Sequence, residues 1–259
     1  MRIPFRSLLV SSFVIALAVS PVIGQGTADD IVEKHLAALG GREALTKLTS
    51  RRASATVSIS TPAGDLTGPA EMLSKAPNKA RVTIELDLTP VGVADKMNIE
   101  QKFDGTAGWA INSMQGDTEI TGSQLENMKN NFFPTPLLVY KTSGGKVETQ
   151  PREDVGGKSM HVILYTPKSG SPARMYFDPD TYLLARTRMT VNVPQLGGDV
   201  EQVGDLSDYR TVDGIKVPFM IVNANPQQTI TIKLGKVEHN VEIADAVFSV
   251  KAPAYLGAR

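Results

Sequence analysis

The chain has 259 residues, with 27 Lys+Arg, 27 Asp+Glu, three His and no Cys, and its formal net charge is zero. That balance argues against a nucleic-acid binder, which carries a basic excess, and the missing Cys excludes thiol catalysis, thiolate zinc sites and redox switching. At 41% hydrophobic and 21% charged residues, the composition is that of a globular chain rather than a disordered one.

Arg2 and Arg6 precede an apolar run from Leu8 to Val19, Pro21 breaks it, and Val22-Ile23-Gly24 puts small or tolerated residues at a cleavage site. The run is about 12 residues, short of the roughly 20 that a spanning helix needs, so residues 1–24 read as a secretory signal peptide cut before Gln25. No later segment is long and apolar enough to span a membrane. The expectation is an exported protein, periplasmic or secreted, with residues 25–259 as a single domain.

Thr27, Asp29 and Asp30 are N-cap candidates for a helix whose Ile31, Val32, His35, Leu36 and Leu39 fall at helical spacing, and Gly40-Gly41 ends it. Arg42 to Leu48 reads as a second short helical piece. The period then changes to two. Ala53, Ala55, Val57 and Ile59 alternate with Ser54, Thr56, Ser58 and Ser60, and Val82, Ile84, Leu86 and Leu88 alternate with Arg81, Thr83, Glu85 and Asp87. Met97, Ile99 and Phe103 continue the pattern, with Gln101 as its one polar member. Asp104-Gly105 is a turn signal and 108–111 a short strand. Ser123 and Glu126 have capping-box spacing, Leu125, Met128 and Phe132 share one helical face, and Pro134 and Pro136 stop that helix. Further strands are predicted at 145–150, 159–166, 173–178, 182–193, 200–209, 215–223 and 228–238, mostly separated by turn signals such as Gly156-Gly157 and Asp213-Gly214.

About eleven strands against two helical regions, mostly in hairpin order, is an α+β, mainly β, antiparallel sheet with helices added. Ten strands at about 4.8 Å span roughly 48 Å, while a helix is only about 10–12 Å across. A twisted sheet that wide must curl or split. Curling would enclose a cavity on the apolar face; splitting would give a sandwich with none, and both show the same alternation.

Catalytic patterns are missing. His35, His161 and His239 have no metal-ligand partner at local spacing, and neither HExxH nor GxSxG occurs. Gly156-Gly157-Lys158-Ser159 lacks the leading glycine of a phosphate loop, because Arg152 stands there, and reads as a hairpin turn. Asp178-Pro179-Asp180 is too short for a calcium loop. Nine Met residues suit a surface that accepts variable apolar partners, although any single one is equally good core filler.

Several segments resemble a known family. Phe103-Asp104-Gly105 followed by Gly108-Trp109, Met175 to Thr181 with Leu183-Leu184, and Ile243 to Phe248 ending at Pro253 resemble the LolA-like outer-membrane lipoprotein-sorting family. The Ile31 to Gly41 helix fits the broader group, and Ser207 to Pro218 fits a divergent branch. The resemblance implies an incomplete, half-open antiparallel β-barrel with an N-terminal helix and a short lid helix, holding acyl chains on its concave face. It also implies an early-strand arginine that holds the lid, for which Arg51, Arg52 and Arg81 are the candidates.

The resulting expectation is a non-catalytic, cofactor-free periplasmic carrier of lipid or lipoprotein acyl chains, a monomer. Val82, Ile84, Leu86, Met97, Ile99, Trp109, Met175 and Phe177 are expected to line the cavity, and Leu125, Met128 and Phe132 to form the lid face. The alternative is an envelope protein-interaction or stress-sensing module on the same fold. An enzyme acting on envelope lipids comes last, for want of a triad or metal motif.

Overall fold

The computed structural model describes residues 26–62, 64–193 and 198–249; the expected signal peptide and Pro253 lie outside them. Helix α1 spans Ala28–Leu39, where Thr27 and Asp30 form a reciprocal capping box: the Asp30 N–H donates to Thr27 Oγ1 at 3.2 Å and the Thr27 N–H to Asp30 Oδ2 at 3.0 Å. Ile31, Val32, His35, Leu36 and Leu39 are buried on one face, as their spacing predicts. The helix stops at Gly40, whose φ of 134° and close approach to the Gly214 carbonyl (2.6 Å from where a Cβ would sit) leave no room for a side chain. Helix α2 follows at Arg42–Thr46.

Thirteen antiparallel strands then form one sheet: β1 Ser50–Thr61, β2 Gly64–Lys75, β3 Lys79–Asp87, β4 Lys96–Phe103, β5 Gly108–Asn112, β6 Gly116–Ile120, β7 Lys146–Val155, β8 Lys158–Thr166, β9 Ala173–Phe177, β10 Leu184–Val193, β11 Gly198–Val212, β12 Ile215–Ala224 and β13 Thr229–His239. Helix α3, Gly122–Lys129, sits between β6 and β7 in the chain. The spatial order is β6-β5-β4-β3-β2-β1-β13-β12-β11-β10-β9-β8-β7, so the first and last hairpin series meet at β1 and β13 and the outer strands β6 and β7 are unpaired edges.

Two strands beyond the sequence reading explain thirteen rather than about eleven. β2 carries Gly64, Gly68 and Pro69, residues that argue against a central strand, yet it pairs with β1 along its whole length. The cost falls on its other side, where the β2–β3 ladder skips Gly68 and Pro69. There Gly68 lies so close to the Glu85 carbonyl that a Cβ would sit 1.6 Å from it. β6 is five residues of mostly polar sequence, too short to show a period.

The α3 capping box expected from Ser123 and Glu126 does not form. Thr121 is the N-cap and makes no side-chain cap bond, while Glu126 accepts instead from Lys129 and Ser169. The helix ends at Lys129, before Phe132.

Register defines two faces. On one, Ala53, Ala55 and Val57 of β1 stand opposite Met72 and Ala70 of β2 and Val237, Leu234 and Ile232 of β13. This face is apolar and meets α1. The other carries cross-strand ion pairs: Arg81–Glu100 at 2.5 Å, Arg186–Asp205 at 2.6 Å and Arg174–Glu153 at 2.6 Å. The C-terminal stretch also packs on that outer side, where Ile243 and Phe248 cover Leu73 and Asp245 bridges Lys75 (2.7 Å) and Lys79 (2.9 Å).

The main core shows that the sheet curls. It joins Ile31, Val32 and Leu36 of α1 to Ala53 of β1, Ile163 of β8, Phe177 of β9, Val217 and Phe219 of β12 and Val237 of β13. Laid flat, β8 and β1 would stand six strands apart, about 29 Å, too far for one helix about 10–12 Å wide to touch both. The arrangement is therefore a half-open barrel around α1, not a sandwich.

Candidate functional site

Beyond α1 the concave face is unfilled. A cavity of about 920 Å³ lies between β4–β6 on one side and β8–β11 on the other, with α3 over it. Its walls include Gln101, Ala110, Ile120, Tyr165, Ala173, Met175, Thr187, Met189, Val191 and Gln202. β4 and β8 are nine strands apart in the sheet, roughly 43 Å if flat, so only the curl brings them to one space.

Helix α3 is fastened at both sides of this space. Asn78, in the β2–β3 turn, donates to the Lys129 carbonyl at 3.0 Å, and the Phe133 N–H donates to the Pro77 carbonyl at 2.7 Å. Across the seam, Asn130 Nδ2 donates to Ser169 O at 2.8 Å, the Ser169 hydroxyl donates to Glu126 Oε2 at 2.5 Å, and the Ser171 N–H donates to Asn127 Oδ1 at 2.7 Å. Hydrogen bonds from Lys129 and Ser169 hold the Glu126 carboxyl below the usual carboxylate range. The opposite end of the barrel carries the hairpin turns after β1, β5 and β12, and Asn225 and Gln228 there border the cavity.

Of the three arginine candidates, Arg52 pairs with Glu71 at 3.7 Å and Arg81 with Glu100, both on the outer face. Arg51 has the inward parity. Its guanidinium lies 5.2 Å from the Phe133 ring centroid, just past α3, and its Nε donates to His239 Nε2 at 3.2 Å. Burial lowers Arg51 to about 10.

The sequence-chosen lining residues divide. Met128 and Met175 border the cavity. Val82, Ile84, Met97 and Ile99 have the inward parity on β3 and β4 and are half-buried, but Ile84 and Ile99 border a shallower depression of about 560 Å³ over β2–β5. Leu86 and Phe177 are both fully buried, and Phe177 packs against the His35 ring with centroids 5.0 Å apart; they are core, with no surface to offer a ligand. Trp109 pairs with Lys102 and Glu119, which puts it on the outer face. Leu125 on α3 and Phe132 just past it are half-buried and do not border the cavity.

What the sequence reading missed is polar. Gln101, Thr187 and Gln202 point inward by register, with Thr187 opposite Met175 and Gln202 opposite Met189. Tyr165 is 5% exposed, its ring borders the cavity, and its buried hydroxyl has no hydrogen-bond partner among the described residues. Burial raises its pKa. One signal was readable, since Gln101 interrupts an otherwise apolar alternation.

No protein-family model matches the chain, and no curated protein matches it. Solved structures do match. A LolA superfamily protein from Nitrosomonas europaea superposes with a TM-score of 0.55 at 13% identity, over 87% of this chain and 99% of that one. A DUF1329 family protein from Desulfovibrio piger gives 0.56 at 16% identity, over 86% and 97%. A domain from Vibrio parahaemolyticus described as an outer membrane lipoprotein-sorting protein gives 0.55 at 8% identity, over 85% and 95%. The chain has a LolA-like fold.

Proposed function

We propose that this chain binds lipid or lipoprotein acyl chains in the concave cavity and carries them without chemical change, after export directed by residues 1–24. The observation that supports this most is the cavity itself: a half-open space of about 920 Å³ between strands nine apart, with Met128, Met175 and Met189 on its walls. That volume is within the range of about 300–1,000 Å³ typical of small-molecule sites. Methionine side chains adapt to apolar ligands of varying shape. Each buried methylene contributes about 0.8 kcal/mol, so ten contribute about 8 kcal/mol against the cost of ordering the chain. No reactive group is needed. Met128 approaches from the lid and Met175 from the wall, so a chain threaded between them would touch both. The resemblance to lipoprotein-sorting structures supports the same reading.

The test is native mass spectrometry of the protein purified without detergent from an exported fraction. The expected result is a chain beginning at Gln25 with extra mass that organic extraction removes. A clean apo mass, with no uptake after incubation with diacyl or triacyl lipopeptide, would sink the proposal.

A further inference from the structure

We infer that the ligand of this cavity presents an uncharged, hydrogen-bonding head group to its walls, such as the hydroxyls of a glycosyl diglyceride, rather than a phosphate or carboxylate. The inference rests on the acyl-binding reading above and adds the class of head group. Among the described residues, those bordering the cavity include no Lys or Arg; Glu119 is their one charged member, and its register opposite Trp109 turns it to the outer face. Side-chain amides are abundant instead, with Gln101 and Gln202 on the walls, Asn127 and Asn130 on the lid side, and Asn225 and Gln228 at the hairpin end.

Side-chain amides donate and accept, so they match hydroxyl and amide groups on a ligand and give no net charge to offset an ion. Placing an anion beside them, with no cation among the described wall residues, would leave its charge uncompensated as water is displaced. A purely hydrocarbon ligand would fare poorly for the opposite reason, since it would strip water from amides and return nothing. Gln101, Gln202 and Gln228 make no side-chain hydrogen bond to a described residue, so their capacity is not consumed by the fold. Tyr165 adds a buried hydroxyl without a partner beside the same space. The arginines do not alter this balance: Arg52 and Arg81 are paired on the outer face, and Arg51 faces Phe133 and His239.

The experiment offers the apo protein three lipids with identical acyl chains in one native mass spectrometry competition. These are monogalactosyl diacylglycerol (uncharged), phosphatidylglycerol (anionic) and phosphatidylethanolamine (zwitterionic). The expected result is at least tenfold preference for the galactosyl lipid. Gln202→Lys, which puts a cation on the wall, is expected to raise retention of phosphatidylglycerol at least fivefold, and Gln101→Lys serves as a second variant should the first not fold. Retention of either phospholipid equal to or above that of the galactosyl lipid would overturn the head-group inference and leave acyl binding standing. Retention of none of the three would overturn the acyl-binding reading itself.

Discussion

Asn130→Leu tests whether α3 is a lid held by its seam contacts. In the wild type Asn130 Nδ2 lies 2.8 Å from Glu126 O, 2.8 Å from Ser169 O and 3.0 Å from Ser169 Oγ. One amide nitrogen has two hydrogens, so about two of these bonds form at once. At about 1 kcal/mol net for each bond, one within α3 (to Glu126) and one across the seam (to Ser169), the substitution should shift the combined local unfolding and release of α3 by about 2 kcal/mol, roughly 30-fold in the opening equilibrium. Leucine keeps a side chain of similar size, so packing changes little. Hydrogen exchange read by mass spectrometry reports the opening directly. Amides of Leu125, Asn130 and Asn131, which donate to Thr121, Glu126 and Met128, are expected to exchange about 30-fold faster, at the rate that the opening arithmetic gives. Amides of β1 and β13, in the middle of the sheet, are expected to be unchanged. Unchanged exchange in α3 would refute the latch, and equal acceleration in β1 would show that the variant loosens the whole fold.

Two further outcomes follow from buried groups. His35 is 3% exposed and its Nδ1 lies 2.9 Å from the Tyr182 carbonyl; desolvation lowers its pKa to about 4, against the partial support of that backbone bond. A lowered folded pKa gives stability that is complete above the unfolded value of 6.5 and is lost as pH falls toward 4. Between pH 7 and pH 5 this group alone should remove about 2 kcal/mol, and by pH 4 about 3 kcal/mol. Urea unfolding of wild type and His35→Gln at both ends of the upper window isolates it from His161 and His239, which are also lowered by burial; equal slopes in the two proteins would contradict the assignment. Leu86→Ala removes a fully buried side chain and should cost about 2–5 kcal/mol in urea unfolding. Because Leu86 does not border the cavity, lipid retention by the folded variant should match wild type.

The local pattern of this chain was legible without coordinates. Alternation from Ala53 to Ile59 and from Val82 to Leu88 marks one-faced strands because successive side chains of a strand point to opposite sides. The 3.6-residue spacing of Ile31, His35 and Leu39 marks the buried face of α1, and Thr27 with Asp30 marks its start. β2 was illegible because Gly68 and Pro69 look like strand breakers, and only the neighbouring β1 ladder, which pairs through both, makes a strand of that segment. Of the residues expected to meet a ligand, Met128 and Met175 border the cavity, whereas Trp109, Leu86 and Phe177 do not, and residue type alone did not separate the two groups. A large apolar residue on an inward-facing pattern satisfies the core and a cavity wall equally well, and one on a short strand such as Gly108–Asn112 does not declare its face.

Periodicity along the chain therefore marked most of the elements and their buried faces, and the missing Cys excluded thiol chemistry. Periodicity says which residues share a face, but not which distant strands will look at each other across a curl. That Gln101 on β4 and Tyr165 on β8 border one space depends on the summed twist of nine strand-to-strand steps and on α1 filling only one end. Closure of that kind is a property of the whole sheet, carried by no single segment, and it is what brought scattered glutamines and methionines to the walls of one cavity.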